Sequence, residues 1–169
     1  MNEKEIKIGG VFTYSQIRDG KVIDTWEEPN IVVNEGLNYT LDSAFSGGAA
    51  ISAWYIGLFK NNYAPQATDV AATFSGVGVA NEATTEYTEA TRPQWVEVGP
   101  SAQVITNTAS PAVFTFNTPV NIYGALLASL PTKATASGKL AAASKFTSVR
   151  AMLATDVLNV VYTLTITSV

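Results

Sequence analysis

The chain has 169 residues, of which 47% are hydrophobic and 14% charged, with a formal net charge of −4 and neither Cys nor His. This length suits one domain. Without Cys or His there are no disulfides, thiol nucleophiles, Cys–zinc sites or hydrolases with a histidine base. Only carboxylate or lysine chemistry is left, so the composition argues against an enzyme. We expect no catalytic residue, cofactor or metal ion.

Hydropathy and charge narrow the choice of partners. No apolar run approaches 18 residues and the first residues form no hydrophobic signal segment, so we expect no membrane partner and no classical secretion. An isoelectric point near 4.7 predicts no nucleic-acid partner. The first 100 residues carry six basic and thirteen acidic residues, and the rest carry four basic residues and one acidic residue. This asymmetry favours docking between copies or on a charged partner, although an uneven scatter without spatial meaning explains it equally well.

The first predicted element is a β-hairpin. Residues 11–18 and 21–27 flank Asp19-Gly20, a dipeptide suited to the positive φ angles of a type I′ turn. Just before it, Gly9-Gly10 predicts a bulge or a bend. The two-residue loop sets three predicted cross-strand pairs: Arg18–Lys21, Ile17–Val22 and Thr13–Trp26.

A short helix follows the hairpin. After a short buried strand at 31–33, Asn34 is the predicted cap of a helix over residues 35–46, and Gly47-Gly48 end it. Apolar residues fall within one stripe of this helix, which predicts that the stripe packs on the core. The stripe consists of Leu37, Leu41, Ala44 and Phe45.

The remaining sequence is mostly β in character. A dense strand is predicted at 54–60, and a long excursion over 61–91 contains one helical turn near 69–74. Residues 139–152 hold one or two strands, with a helix left open for 141–143. Seven to nine short strands predict an antiparallel β-sandwich or jelly-roll-like domain over 1–169, with one short helix. Other strand-like runs lie at 94–98, 104–108, 112–117, 121–129 and 158–167.

Few side chains suggest a catalytic, metal-binding or sugar-binding site. Glu27 and Glu28 are adjacent on a strand and point to opposite faces, so they cannot easily converge. The group at Glu82, Glu86 and Glu89 lies in polar sequence, which favours solvated charges over an acid–base pair or calcium ligands. Three tryptophans sit in strand-like runs, which favours a core or subunit interface over a sugar-stacking platform: Trp26, Trp54 and Trp95.

The N-terminal arm, residues 1–10, is the segment we expect to bind a partner. Charged residues alternate with Ile6 and Ile8, so only one face is apolar. Such a strand gains little burial alone and becomes stable as an edge strand, on its own sheet or on a neighbour's. A frayed terminus is the other interpretation. The candidate partner-binding residues are Glu5, Ile6, Lys7 and Ile8.

Several segments read together resemble a family of small structural proteins of tailed bacteriophage virions. These segments, at 30–42, 54–59, 89–95, 107–114 and 158–164, occur in family order. They include Asn30-Ile-Val-Val-Asn-Glu-Gly-Leu-Asn-Tyr, Glu89-Ala-Thr-Arg-Pro-Gln-Trp and Leu158-Asn-Val-Val-Tyr-Thr-Leu. Members of this family are commonly assigned as head decoration or cement proteins, or simply as virion proteins, and they bring no catalytic residues.

The resemblance implies a non-enzymatic protein of the capsid surface, made in the host cytoplasm, that binds and stabilises the major capsid protein lattice, as a homo-oligomer. A chain without Cys suits assembly in a reducing compartment. The arm and the 61–91 excursion would then reach neighbouring subunits. The alternative function is a tail fibre or spike component, or a glycan-binding β-sandwich module. A third hypothesis is an enzyme that uses carboxylates alone, which requires two converging acidic side chains in a cleft.

Overall fold

A computed structural model of the protein describes residues 5–76 and 78–168. Its backbone is mainly β-strand with little helix. The predicted fold class is therefore confirmed. The strands of the described residues are β1 (Ile6–Arg18), β2 (Lys21–Pro29), β3 (Ile31–Val32), β4 (Trp54–Phe59), β5 (Gln94–Trp95), β6 (Val98–Ser101), β7 (Val104–Thr106), β8 (Ala112–Thr115), β9 (Val120–Ala128), β10 (Leu140–Met152) and β11 (Val157–Ser168).

The strands form two antiparallel sheets. The first has the order β2-β1-β11-β7-β6, with β8 also paired to β11, and the second has the order β3-β10-β9-β4-β5. The chain leaves the first sheet at Asn30, whose N–H donates to the carbonyl of Gly10 at 3.1 Å, and enters the second sheet as β3. Rings from both sheets fill the space between them, among them Phe12, Phe114 and Phe146. The arrangement is consistent with a β-sandwich.

Strand number and length differ from the prediction. The described residues contain eleven strands, and β1, β10 and β11 each have 12 or 13 residues. Residues 140–152 form the single strand β10, so the predicted run at 139–152 is one strand, and 141–143 are not helical. Ala142 pairs with both β3 and β9, and the small alanine side chains fit this central, buried position.

The hairpin forms as predicted around Asp19 and Gly20, which have φ angles of 50° and 74°. Arg18–Lys21 and Ile17–Val22 are paired, but the pairing shifts between Gln16 and Ile17. This bulge moves the partner of Trp26 by one residue, so the prediction of Thr13 opposite Trp26 was wrong. Tyr14 takes that place, and the two rings stack with their centroids 5.0 Å apart.

The two early glycines lie in unbroken strand, so the predicted bulge or bend at Gly9-Gly10 was also wrong. Both residues pair with β11 without a shift in register. A Cβ atom at Gly10 would lie 2.6 Å from the hydroxyl of Tyr162, whereas one at Gly9 would meet nothing within 4 Å. The sequence needs glycine at position 10 because a neighbouring ring comes close, and not because the strand bends.

The helix forms where predicted, with different ends and a different buried face. Helix α1 (Asn34–Leu41) continues into a π-helical turn (Asp42–Ser46) and ends at Gly47, whose φ is 75°. Val33 occupies the cap position, and the N–H of Asn34 donates to the carbonyl of Ala67, so Asn34 is not the cap. A second helix, α2 (Ala71–Ser75), matches the predicted helical turn.

Gly36 determines which side of α1 packs inward. It is buried, and a Cβ atom there would lie 2.8 Å from the Cα atom of Ala141 in β10. The helix can therefore lie directly on the β10 backbone only through this glycine. The predicted apolar stripe is turned away from the core: Leu41 is 58% exposed and Phe45 is 83% exposed.

The 61–91 excursion packs on its own domain. Phe74 of α2 is fully buried against Phe59 of β4, with ring centroids 5.4 Å apart, and belongs to a second hydrophobic cluster with Val33 and Leu126. Sequence reasoning expected this segment to reach neighbouring subunits. Part of its apolar surface, including Phe74, belongs to the domain's own core, while Val70 and Val79 are exposed, and contact with neighbouring subunits stays a prediction.

Candidate protein-interaction surface

The arm residues Ile6 to Gly10 extend β1 beyond the end of β2. On one side they pair with β11, from Ile6 opposite Ser168 to Gly10 opposite Leu164. On the other side, pairing with β2 starts only at Val11, opposite Pro29. The arm is therefore an edge strand of its own sheet, and the frayed-terminus interpretation does not hold for residues 6–8. Residues 1–4 of the arm lie outside the described residues.

The direction of the backbone groups along this edge follows from the hydrogen bond at Gly10. Its carbonyl accepts from Asn30 on the β2 side. Because backbone polar groups along a strand alternate between its two neighbours, the N–H and C=O groups of Ile6 and Ile8 face the same side. Within the described part of the chain no strand occupies that side. We name residues Ile6 to Gly10 with these outward-facing groups the open edge.

Apolar side chains lie beside the open edge. Ile8 stands opposite Ile166 on the face of the sheet that continues into the core at Phe12. Ile6 is 74% exposed, and Ile166 is also exposed. The core face of the first sheet thus continues outward as an exposed apolar surface where the second sheet no longer covers it.

A groove of about 680 Å³ connects the open edge to the helix. It passes over Gly9, where there is no side chain, and Leu37 of α1 contributes to its wall. Beyond Leu37 the exposed Leu41 and Phe45 continue along the helix. We name Leu37, Leu41 and Phe45 the helix stripe. The groove is otherwise lined by residues 6–11 and by Thr163, Thr165 and Thr167.

Glu82 is buried, so the interpretation of this group as solvated charges was wrong for Glu82, whereas Glu86 and Glu89 are half-buried. Arg92 donates from Nε and Nη2 to the two carboxylate oxygens of Glu82 at 2.7 and 2.6 Å, and both side chains are buried. Glu82 also accepts from the N–H of Ala134 at 2.7 Å, and Arg92 also donates to the carbonyl of Leu130. We name the Glu82–Arg92 pair and these backbone partners the anchor.

The other two glutamates are bound beside the anchor. Burial alone would raise the pKa of Glu86, but the ammonium group of Lys60 at 2.6 Å and backbone N–H groups lower that pKa overall. Glu89 accepts from the N–H of Thr115. Burial lowers the pKa of Lys133, which donates to the carbonyl of Thr84 and lies over the ring of Tyr87. Glu82 and Glu86 therefore form structural ion pairs, and Glu89 is held by a backbone N–H.

Most charged side chains in the last third of the chain bind groups within the domain. Asp156 accepts two hydrogen bonds from Arg18, which lower its pKa to about 2, and Lys133 holds Thr84. Arg150 forms an ion pair with Asp24, and Lys139 forms one with Glu35. Four of the five charged residues of the last third thus contact the first part of the same chain, whereas Lys145 is exposed.

The three tryptophans do not form an exposed platform. Trp26 stacks on Tyr14, and Trp95 donates from Nε1 to the carbonyl of Tyr162, with both rings buried. Trp54 is partly buried and lies edge-on to Tyr39. Their positions agree with the predicted core role.

Searches for known chemistry and known relatives give no assignment. Across residues 5–76 and 78–168, no group of three or more acidic side chains is arranged to hold a metal ion, and no helix is long and apolar enough to span a membrane. No protein-family model matches the chain, and no curated protein matches it. The open edge and the helix stripe are therefore identified from geometry alone. Sequence periodicity detected the stripe but assigned it to the core, because the role of Gly36 is not visible in the apolar pattern.

Proposed function

We propose that this chain is a non-enzymatic virion structural protein of a tailed bacteriophage, a capsid decoration protein that binds the assembled major capsid lattice. The sequence resemblance suggests the class of particle. The observation that supports a binding role is the exposed helix stripe beside the open edge. Leu41 at the end of α1 and Phe45 in the π-helical turn that follows are exposed, and a partner that covered them would gain the free energy of their burial.

The mode of binding to the capsid follows from which side chains and backbone groups have no partner inside the domain. Several charges are already paired inside the domain, so contacts with the capsid depend on apolar burial and backbone hydrogen bonds. Each copy would bridge adjacent capsomers and add contact area to the shell. Weak dependence of binding on salt is the expected signature, because ion pairs contribute little.

The experiment is reconstitution of the purified protein on empty capsids of the phage that encodes it, followed by cryo-electron microscopy. We expect density for the wild type on the head and loss of occupancy for the double variant L41S/F45S. Val22 is also an exposed apolar residue, at 60% exposure, and it lies in the hairpin away from the helix stripe. V22S is therefore the matched control and keeps wild-type occupancy.

Density on the tail alone would overturn the head assignment and support the alternative of a tail fibre or spike component. Equal occupancy for L41S/F45S and V22S would show that the helix stripe is not the capsid-binding surface. A glycan-binding module would require a sugar ligand, and a glycan array tests that separately. Trp26 and Trp95 are buried, so their rings are not accessible for stacking against a sugar.

A further inference from the structure

We propose that two copies of this chain pair through their open edges, antiparallel and across a two-fold axis, with Ile6 opposite Ile6. This inference goes beyond the proposed function, because it concerns association between copies and holds whether or not they bind a capsid. It starts from the free hydrogen-bonding groups of Ile6 and Ile8. Unpaired edge strands are templates for a further strand, and a second copy offers an identical edge.

Backbone polar groups alternate between the two sides of β1, and this alternation limits the registers in which two copies can pair. In an antiparallel pair, residues that exchange hydrogen bonds stand directly opposite each other, and here these must be residues whose groups face the open edge. Ile6 and Ile8 meet this condition, whereas Lys7 faces β11. A register centred on Ile8 would place Ile6 opposite Gly10, whose carbonyl already accepts from Asn30. Two other two-fold registers remain near the middle of the arm. One is centred on Ile6, and the other places Ile6 opposite Ile8 and Lys7 opposite Lys7.

The charges of Glu5 and Lys7 favour the register centred on Ile6. With Ile6 opposite Ile6, Glu5 of each copy stands opposite Lys7 of the other, which gives two cross-strand pairs of opposite charge. With the centre at Lys7, the two lysines face each other and repel. Glu5 and Lys7 are exposed, so both are available for these pairs. The alternating sequence of the arm thus complements itself in only the first register.

The two apolar faces also match. Directly opposite residues in an antiparallel pair share a face, so the two Ile6 side chains meet on the face that carries Ile8 and Ile166. Ile6, which is 74% exposed in one copy, would be covered by its equivalent. The result is one continuous sheet that passes through the paired Ile6 residues of both copies.

Sedimentation equilibrium of the full-length protein tests the pairing. We expect the wild type to dimerise, and E5K and K7E each to weaken the dimer about tenfold, because each change makes both cross-strand pairs like-charged. An equimolar mixture of E5K and uniformly 15N-labelled K7E restores opposite charges at both pairs and forms a mixed dimer, which the isotope label lets native mass spectrometry distinguish from both homodimers. K21E changes the net charge as K7E does, on an exposed residue at the hairpin turn, and leaves the dimer unchanged.

A backbone variant gives an independent test. Proline at position 6 removes an N–H that faces the open edge, while the pairing of Lys7 with Thr167 is kept. We expect I6P to abolish the dimer and to keep the thermal midpoint of the monomer. Circular dichroism spectra of all variants confirm that they are folded.

Several results would overturn the proposal. A wild-type protein that is monomeric at every concentration would do so, even if it binds capsids, and that outcome would leave the proposed function standing. A dimer that is insensitive to E5K would exclude the Ile6-centred register. Failure of the E5K and K7E mixture to form mixed dimers would exclude the cross-strand pairs.

Discussion

The anchor and the open edge differ in whether their polar groups have hydrogen-bond partners inside the domain. In the anchor, the carboxylate of Glu82 and the guanidinium of Arg92 are fully buried and satisfied by each other and by backbone groups. At the open edge, backbone groups of Ile6 and Ile8 have no strand beside them, and apolar side chains are exposed. This difference separates a part of the molecule that stabilises the fold from a part that is free to bind.

The largest effect on stability is expected at the anchor. R92M leaves the Glu82 carboxylate buried without its partner, so we expect the free energy of unfolding to fall by about 3–5 kcal/mol in urea denaturation. K60M breaks the partly exposed pair with Glu86 and should cost less than about 1 kcal/mol. The double variant E82L/R92M, which removes both charges, should recover much of the loss. Equal costs for R92M and K60M would contradict the role of the anchor.

A smaller effect is expected from Asp156, and it depends on pH. Hydrogen bonds from Arg18 lower its pKa from 3.8 to about 2, so its contribution is complete above pH 4 and is lost as the pH falls toward 2. That shift corresponds to about 2 kcal/mol. D156N should therefore be less stable than the wild type at pH 6, and the two unfolding free energies should converge toward pH 2. A constant difference over this range would contradict the assignment.

The neighbouring glycines give a matched comparison within the arm. G10A forces a methyl group toward Tyr162 and Asn30, so we expect a cost of about 1–3 kcal/mol in thermal or urea unfolding. G9A adds its methyl group in open space and should change stability by less than about 0.5 kcal/mol. If G9A destabilised the protein as much as G10A, close approach of Tyr162 would not explain the glycine.

The smallest effect on stability is expected from the helix stripe. L41S/F45S removes apolar side chains that are mostly exposed, so the free energy of unfolding should change by less than about 0.5 kcal/mol. Differential scanning calorimetry checks this. A large destabilisation would mean that the stripe supports the fold, and the occupancy experiment with this variant would then not report on binding.

Local patterns in the sequence predict most of the secondary structure. Asp19-Gly20 defines a hairpin turn, Gly47 ends a helix, and the alternation of Leu158, Val160 and Tyr162 defines a strand with one buried face. Each of these signals acts within a few residues. They predict the fold class because a β-sandwich is a repetition of such local elements.

Features that depend on distant contacts could not be predicted in this way. The bulge after Gln16 shifts the pairing of Trp26, and the backbone of Ala141 decides which face of α1 is buried. Glu82 looks like a surface charge until the fold places Arg92 and Ala134 around it. The open edge was partly predicted from Ile6 and Ile8, but its free side depends on where β2 ends.

Deletion of residues 2–8 tests most directly whether stability and binding are separable. The account predicts a folded domain whose thermal midpoint falls by less than about 4 °C, because among the described residues only Glu5 to Lys7, which are exposed, and the half-buried Ile8 are lost. The same variant should lose association between copies, and its occupancy on capsids should fall. A large drop in the thermal midpoint would show that the arm belongs to the core of its own domain, and unchanged oligomer mass with unchanged capsid occupancy would contradict a binding role for the arm.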